Sequence, residues 1–546
     1  MVITLLLITL LLLSISSILG LCPQNCSCDE HQLVVNCNNV KLPYLPPLLN
    51  PSIQSLKLSK CQIEQVDPDI MELYPDIIHL DLSNNNISVF EKNVFRYQNK
   101  MELLNLSNNN FSVIFSNNFR GLHRLQYLDL SFGRLQTIES NGLEHLTELL
   151  ELNLSYNALQ NLSFLTFIDL TKLQKLTVAG NQITYLESFI FKTLPNLRAI
   201  DLSQNMIKAI ASDTFFGLNM ISVIDLSRNF LQKIPIFGQN NLINLEYLNI
   251  GFNKLKKIEP YNFRQLSSLL ELDLTRNEFS LLPALAFDGL FRLKKLNLSE
   301  QRYLKEIQNG AFSGLASLEM LNLSYSHLLE YIDENAFEIS HALHTFNVGF
   351  CSLKTFPSTL LDWKRVAELQ LNGNPIHCDY KLLAFLPDVL RLRSIHNVIC
   401  VTPDELHNIS ISSLDTVEIT LEDAKQTLII LCPTLIVFTI LIVLILFLYS
   451  KITPTYDQIK KSKSSIVKQH FCQNLSDKRE CISPEYYNSI NEFNSFSVCR
   501  RQNTFMNLPQ SKSLYDGITI QIPVNEICTD NDVFLKQTDF IYLSAK

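Results

Sequence analysis

The chain lacks the residue sets that enzymes are built around. No Ser/His/Asp constellation, metal-ligating cluster or phosphate-binding loop stands out in its 546 residues, which include only 14 glycines. A lone histidine such as His79 reads as a surface residue. No basic stripe is present to follow a nucleic-acid backbone, and the formal net charge is −8. These absences argue against an enzyme, a cofactor, a metal centre and a nucleic-acid partner.

What is present is repetition. From Ile53, a hydrophobic residue, two variable residues, Leu-x-Leu, two more variable residues and Asn return every 24 residues. The copies begin at Ile53, Ile77, Met101, Leu125, Leu149, Leu173, Leu197, Ile221, Leu245, Leu269 and Leu293, and looser ones at Leu318, Leu343 and Val366. The form is clearest in Leu269-x-x-Leu272-x-Leu274-x-x-Asn277. Self-similarity at this period signals a solenoid. Each copy supplies one short strand whose two leucines point inward while the residue between them faces out. One unit cannot bury its apolar face alone, so neighbours do it for each other.

The recurring Asn (Asn85, Asn109, Asn157, Asn181, Asn205, Asn229, Asn253, Asn277) is expected to bond to buried backbone groups of adjacent coils that would otherwise lack partners. Cys61 and Cys351 take this ladder position in the first and thirteenth copies and read as buried free thiols. Gly133, Gln301 and Ser326 are further departures and mark looser turns. A phenylalanine recurs 18 residues into the copies, at Phe95, Phe119, Phe167, Phe191, Phe215, Phe263 and Phe287, and shifts by one to Phe312 and Phe337 in the two 25-residue copies. This spine is core on the convex side rather than a binding stripe.

Over roughly residues 50–375 the pattern resembles the leucine-rich repeat family. The resemblance implies an α/β repeat fold, a solenoid horseshoe with a parallel sheet on its concave face, used for binding rather than catalysis. Fourteen strands about 4.8 Å apart would make an inner face on the order of 65 Å long, enough to hold a protein domain.

Cys22-Pro23-x-x-Cys26-x-Cys28, followed by Cys37, resembles the N-terminal cap of extracellular members. Asn374-Pro375-Ile376-His377-Cys378-Asp379-Tyr380 resembles the start of their C-terminal cap, with Tyr380 where they carry a second cysteine. Sequence alone does not set the connectivity of four cysteines. The family pattern implies Cys22–Cys28, Cys26–Cys37 and Cys378–Cys400, and secretion favours disulfides over metal binding.

Met1–Leu13 is almost wholly apolar and small residues follow to Gly20, the pattern of a signal peptide. Thr427–Tyr449 has 23 residues without a charge, enough to span a bilayer. Lys451, Lys460, Lys461, Lys463 and Lys468 follow it, so the positive-inside rule predicts a single-pass type I plasma-membrane protein with an extracellular N-terminus. The expected plan is a signal peptide over 1–20, an N-terminal cysteine cap over 21–50 and fourteen repeats over 51–374. A C-terminal cap and juxtamembrane stalk over 375–426, a transmembrane helix over 427–449 and a disordered cytoplasmic tail over 450–546 complete it.

Glycosylation sequons fall at Asn86, Asn105, Asn110, Asn153, Asn161, Asn297, Asn322 and Asn408. Asn105, Asn153, Asn297 and Asn322 hold the outward strand position on the concave face. No sequon lies between Asn161 and Asn297. Within that window, repeats six to ten, the pattern assigns Lys175, Arg198, Asp201, Asp225, Arg228, Glu246, Tyr247, Phe252, Glu271, Asp273 and Arg276 to the inner face. Mixed charge around two aromatics is the composition of a protein-binding patch. Arg198, Asp201, Asp225, Arg228, Tyr247, Phe252, Asp273 and Arg276 are the candidate ligand-binding residues.

In the tail, Tyr456-Asp-Gln-Ile459, Tyr487-Asn-Ser-Ile490 and Tyr515-Asp-Gly-Ile518 each place Ile three residues after Tyr. Such a motif can dock a clathrin adaptor when bare or an SH2 protein when phosphorylated. The layout resembles adhesion receptors of the Tartan and Capricious type, and equally Toll-like ectodomains without the TIR signalling domain. It implies a cell-surface receptor or adhesion protein for an extracellular protein ligand, including a second copy of itself. The alternative is an innate-immune co-receptor or decoy.

Overall fold

The computed structural model describes residues 21–237, 242–337, 342–415 and 440–442. The expected signal peptide, the tail with Tyr456, Tyr487 and Tyr515, and all of the expected transmembrane segment except 440–442 lie outside the described residues. Among the described residues no helix is long and apolar enough to cross a membrane. The chain divides into two compact units, Met1–Leu431 and Cys432–Lys546, and the repeats and caps all belong to the first.

Each copy of the repeat forms a three-residue strand centred on the first leucine of Leu-x-Leu. Neighbouring strands pair in parallel without slippage, so that Leu152, Leu176, Ile200, Ile224, Leu248, Leu272 and Leu296 stand side by side. Fourteen such strands, from Ser55–Lys57 to Glu368–Gln370, lie in one 16-stranded sheet. The cap supplies the other two. Val34–Asn36 pairs parallel to the first repeat and Ser27–Asp29 pairs antiparallel at the outer edge. Those cap strands cover backbone groups that an open edge would present to other chains.

The central strand residues are buried and their neighbours on either side, apart from Ser55 and Asp129, are half-buried or exposed, the alternation that a one-sided sheet requires. The asparagine ladder explains how the tight turns below the strands keep their backbone groups paired. Asn205 accepts from the Ile183 N–H of the preceding repeat at 3.1 Å and donates to the carbonyls of Val178, Leu202 and Ser203 at 2.9, 3.2 and 3.1 Å. At the departures the replacement does less. Cys61 and Cys351 are buried free thiols that donate to the Cys37 and Leu323 carbonyls at 3.1 and 3.3 Å. Burial pushes both thiols up, Cys351 to about 11, so they are protonated and inert at neutral pH. Gln301 reaches Leu274 O and accepts from Asn277 N. The Ser326 hydroxyl oxygen accepts from Gln301 N at 3.2 Å.

Opposite the strands runs the phenylalanine spine, buried from Phe95 to Phe312. Phe191 stacks on Phe215 at 6.4 Å, Phe263 on Phe287 at 6.1 Å and Phe287 on Phe312 at 5.9 Å. In the repeat that begins at Ile221 the spacing rule points to Gln239, yet Phe237 stacks on Phe215 at 6.1 Å and fills the place from two residues earlier. The descending turns are tight enough to need glycine at Gly121 and Gly289, where a Cβ would lie under 3.0 Å from backbone atoms of the preceding coil. Gly121 has φ +105°, and a Cβ there would sit 2.2 Å from the Phe95 carbonyl oxygen.

Disulfides join Cys22 to Cys28, Cys26 to Cys37 and Cys378 to Cys400, the pairings the family pattern implies. In the C-terminal cap the Arg393 guanidinium donates to the carbonyls of Val366, Trp363 and Lys364, which ties the cap to the last repeat.

Candidate ligand-binding site

The eight candidate residues do not share one surface. Asp201, Asp225, Tyr247 and Asp273 lie on the sheet face, in the strands Ala199–Asp201, Val223–Asp225, Tyr247–Asn249 and Glu271–Asp273. Arg198 precedes its strand and is exposed at the edge where the strands begin, with no ion pair among the described residues. Arg228, Phe252 and Arg276 were expected on the inner face and are instead in the turns at the edge where the strands end. The reason is local. Each immediately precedes a ladder Asn and has φ between 52° and 55°, which turns its side chain out of the plane of the strand.

That left-handed residue recurs in every repeat. Lys60, Asn84, Asn108, Phe132, Tyr156, Gly180, Gln204, Arg228, Phe252, Arg276, Glu300, Tyr325, Phe350 and Gly373 form one column with φ between 52° and 73°. Its cost for bulky residues is offset by backbone bonds from one coil to the next, such as Arg228 N–H to Gly251 O at 2.9 Å and Arg276 N–H to Ser299 O at 2.9 Å. The strand residue three positions earlier completes the turn. Asp225 Oδ1 accepts from Ser227 N–H at 2.8 Å, and Asp201 and Asp273 make the same bond. The acidic residues of the sheet face are therefore turn formers first.

Side chains along the column form three groups. Phe132 stacks on Tyr156 at 4.6 Å, and Gln204 reaches across Gly180 to the Tyr156 hydroxyl at 3.1 Å. Phe252 lies between two guanidiniums, with Arg228 at 4.2 Å and Arg276 at 5.6 Å from its ring centre. Arg276 also donates to Glu300 at 3.1 Å. Beside this group Lys254 sits over Phe230 at 4.7 Å. Tyr325 stacks on Phe350 at 4.9 Å. Cations held over aromatic faces are oriented while their outer donors remain available, a pre-paid arrangement for binding.

On the face itself, burial raises the Asp225 carboxyl above the usual range, against the pull of the Ser227 bonds, and Asp201 adds to the rise. Burial also raises the Tyr247 hydroxyl, helped by Asp225 and Asp273, so it is a donor at neutral pH. Asn249 donates to Asp225 at 3.3 Å and Asn297 to Asp273 at 3.1 Å. Lys175 and Glu271, further inner-face residues, pair with Glu151 and Lys295. At Asn105, Asn153 and Asn322 the side-chain oxygen accepts from the backbone N–H and hydroxyl of the serine two residues on.

The column was not visible in the sequence because the residues that fill it share no chemistry. Its only signal is the constant offset, one residue before the ladder Asn.

The leucine-rich repeat profile matches residues 51–111, 79–135, 99–159, 123–183, 171–231, 243–302 and 291–353, together more than half of the chain. Solved structures share the fold at low identity. The TLR13–ssRNA13 complex is 21% identical with a TM-score of 0.54, covering 64% of this chain and 55% of that one. A leucine-rich-repeat protein of Leptospira interrogans is 22% identical with a TM-score of 0.54, covering 65% and 93%. The Drosophila Toll–Spatzle complex is 20% identical with a TM-score of 0.51, covering 67% and 48%. The chain spans about half the length of the TLR13 and Toll chains it resembles. No curated protein matches it. With seven overlapping matches and a strand, ladder and spine in register throughout, the chain belongs to the leucine-rich repeat family.

Proposed function

We propose that this chain is a cell-surface receptor or adhesion protein that binds an extracellular protein through repeats six to ten. The observation that carries the reading is Phe252 held between Arg228 and Arg276, beside a sheet face bearing Tyr247, Asp225 and Asp273, in the stretch without sequons. Oriented aromatics and arginines are the side chains that dominate protein interfaces. TLR13 and Toll appear in complexes with an RNA and with Spatzle respectively. The carboxylates of Asp201, Asp225 and Asp273 would repel a phosphate backbone, which favours a protein for this chain. In this reading Thr427–Tyr449 anchors the protein in the plasma membrane. Glycans at Asn105, Asn153, Asn297 and Asn322 border the binding window, and the tail tyrosines serve sorting or signalling through a clathrin adaptor or an SH2 protein.

The test is cell mixing. Cells that display the full-length chain are mixed with labelled expressing cells and with untransfected cells, and aggregation is scored. Clusters that disappear with Tyr247→Ala and Phe252→Ala, at unchanged surface level, support the reading. Clusters that survive both substitutions place binding elsewhere on the chain. No clustering with any cell type, at confirmed surface display, defeats the adhesion role and leaves a decoy for a soluble ligand.

A further inference from the structure

The repeat keeps its 24-residue length for ten intervals and then lengthens twice, from Leu293 to Leu318 and from Leu318 to Leu343. In both long copies the extra residue falls directly after the ladder position. Asn277 is followed two residues later by the buried Phe279, whereas the buried Leu304 comes three residues after Gln301 and Leu329 three after Ser326. The extra length carries Arg302 and His327 outward, and both are exposed. It also coincides with the replacement of the ladder Asn by Gln301 and Ser326.

Where the turns lengthen, the rim opens. A cavity of about 430 Å³ lies there, lined by Arg276, Glu300, Gln301, Arg302, Tyr325 and His327. This is within the usual size range for small-ligand sites. Its wall is organised. The Tyr325 ring is stacked nearly parallel on Phe350, at 5° and 4.9 Å, which covers one face and steadies the ring. His327 meets Tyr325 edge-on, at 83° and 6.3 Å. Glu300 is held by Arg276 at 3.1 Å and keeps acceptor capacity. Arg302 makes no ion pair among the described residues, so its planar fork of donors is uncommitted.

We propose that this cavity binds a carboxylate-bearing sugar. Three features of the wall are each matched by one feature of that ligand. The Arg302 fork takes the carboxylate in two parallel bonds. The carboxylate of Glu300 accepts from ring hydroxyls. The steadied Tyr325 ring offers an apolar surface to the C–H face of the sugar ring. An acidic peptide side chain matches only the guanidinium and leaves the other two unused. The site lies in repeats ten to twelve, outside the sequon-free window apart from Arg276, and it does not depend on the protein-binding reading.

The experiment uses the full-length chain in detergent, with sodium glucuronate, glucose and N-acetylglutamate amide as probes. Saturation-transfer NMR reports which ligand protons touch the protein, and titration gives the affinity. Glucuronate is expected to bind, with its ring C–H protons most strongly saturated and glucose about tenfold weaker or worse, as loss of one charge-assisted contact requires. Arg302→Gln should remove the preference for glucuronate over glucose. Tyr325→Ala should weaken both sugars, and both substitutions sit on exposed side chains that leave the fold intact. Equal binding of glucose and glucuronate, or an unchanged preference in Arg302→Gln, overturns the proposal. Tighter binding of N-acetylglutamate amide than of glucuronate also overturns it and assigns the cavity to an acidic peptide. Cell clustering that is lost with Tyr247→Ala but kept with Arg302→Gln would separate this site from the protein-binding face.

Discussion

The ten regular intervals and the two long repeats that follow use the same core and different turns. In both regions the strands pair without slippage, Leu272 to Leu296 and Leu296 to Leu321 alike. The phenylalanine stack also continues across the boundary, through Phe263, Phe287 and Phe312. The turns differ. Asn205 serves four backbone groups in a regular repeat, whereas Ser326 accepts one bond from Gln301. The solenoid therefore tolerates a poorer ladder wherever strand and spine persist. It places its irregular surface there, because an extra residue in a turn costs little chain entropy.

Three measurements would break or sharpen that contrast. The largest effect is expected at the boundary. Phe287→Ala empties a fully buried place between Phe263 and Phe312 and should cost about 3–5 kcal/mol, read from the urea midpoint. A cost below about 1 kcal/mol would mean that the long repeats do not share the core of the regular ones. Next comes the ladder itself. Asn205→Ala leaves buried backbone groups without partners and should cost about 2–3 kcal/mol, whereas Ser326→Ala should cost about 1 kcal/mol. Equal costs would show that the ladder is not what distinguishes the two regions.

The smallest effect concerns the sheet face of the regular repeats. Burial raises the Asp225 carboxyl in the folded chain, so folding favours its neutral form. The stability this group leaves intact is full below the unfolded carboxylate value of about 3.9 and declines as pH rises through the higher folded value. At the same place in the next repeat Asn249 accepts from Gly251 N–H at 2.9 Å, so Asp225→Asn keeps an acceptor for Ser227 N–H. Because the substitution completes an Asn-Leu-Ser sequon, the variant is made in a host that adds no N-glycans. It should raise the melting temperature at pH 7 and leave it unchanged near pH 3. A fall at pH 7 would show that the Asp225 charge is paired more strongly than its burial penalises it.

Much of the architecture was legible in the chain. The 24-residue period, the inward leucines, the ladder and the family-derived cysteine pairs all reappear in the structure at the expected residues. The site was legible only in part. Asp201, Asp225, Tyr247 and Asp273 stand on the face where alternation puts them, while Arg228, Phe252 and Arg276 do not. Alternation holds only as far as the strand does, and these three follow its end by three residues. Phe237 shows the same limit, since a packing vacancy can be filled by any ring that reaches it.

The period of the sequence by itself determined the number of strands, their register and what each turn must satisfy, because those depend on residues a fixed distance apart along the chain. Tertiary structure alone decided that Gln204 reaches Tyr156 across Gly180, that Phe252 is held between two arginines, and that a cavity opens beside Arg302. Those contacts join side chains one or two coils apart, through a left-handed turn whose direction the stacking of neighbouring coils imposes.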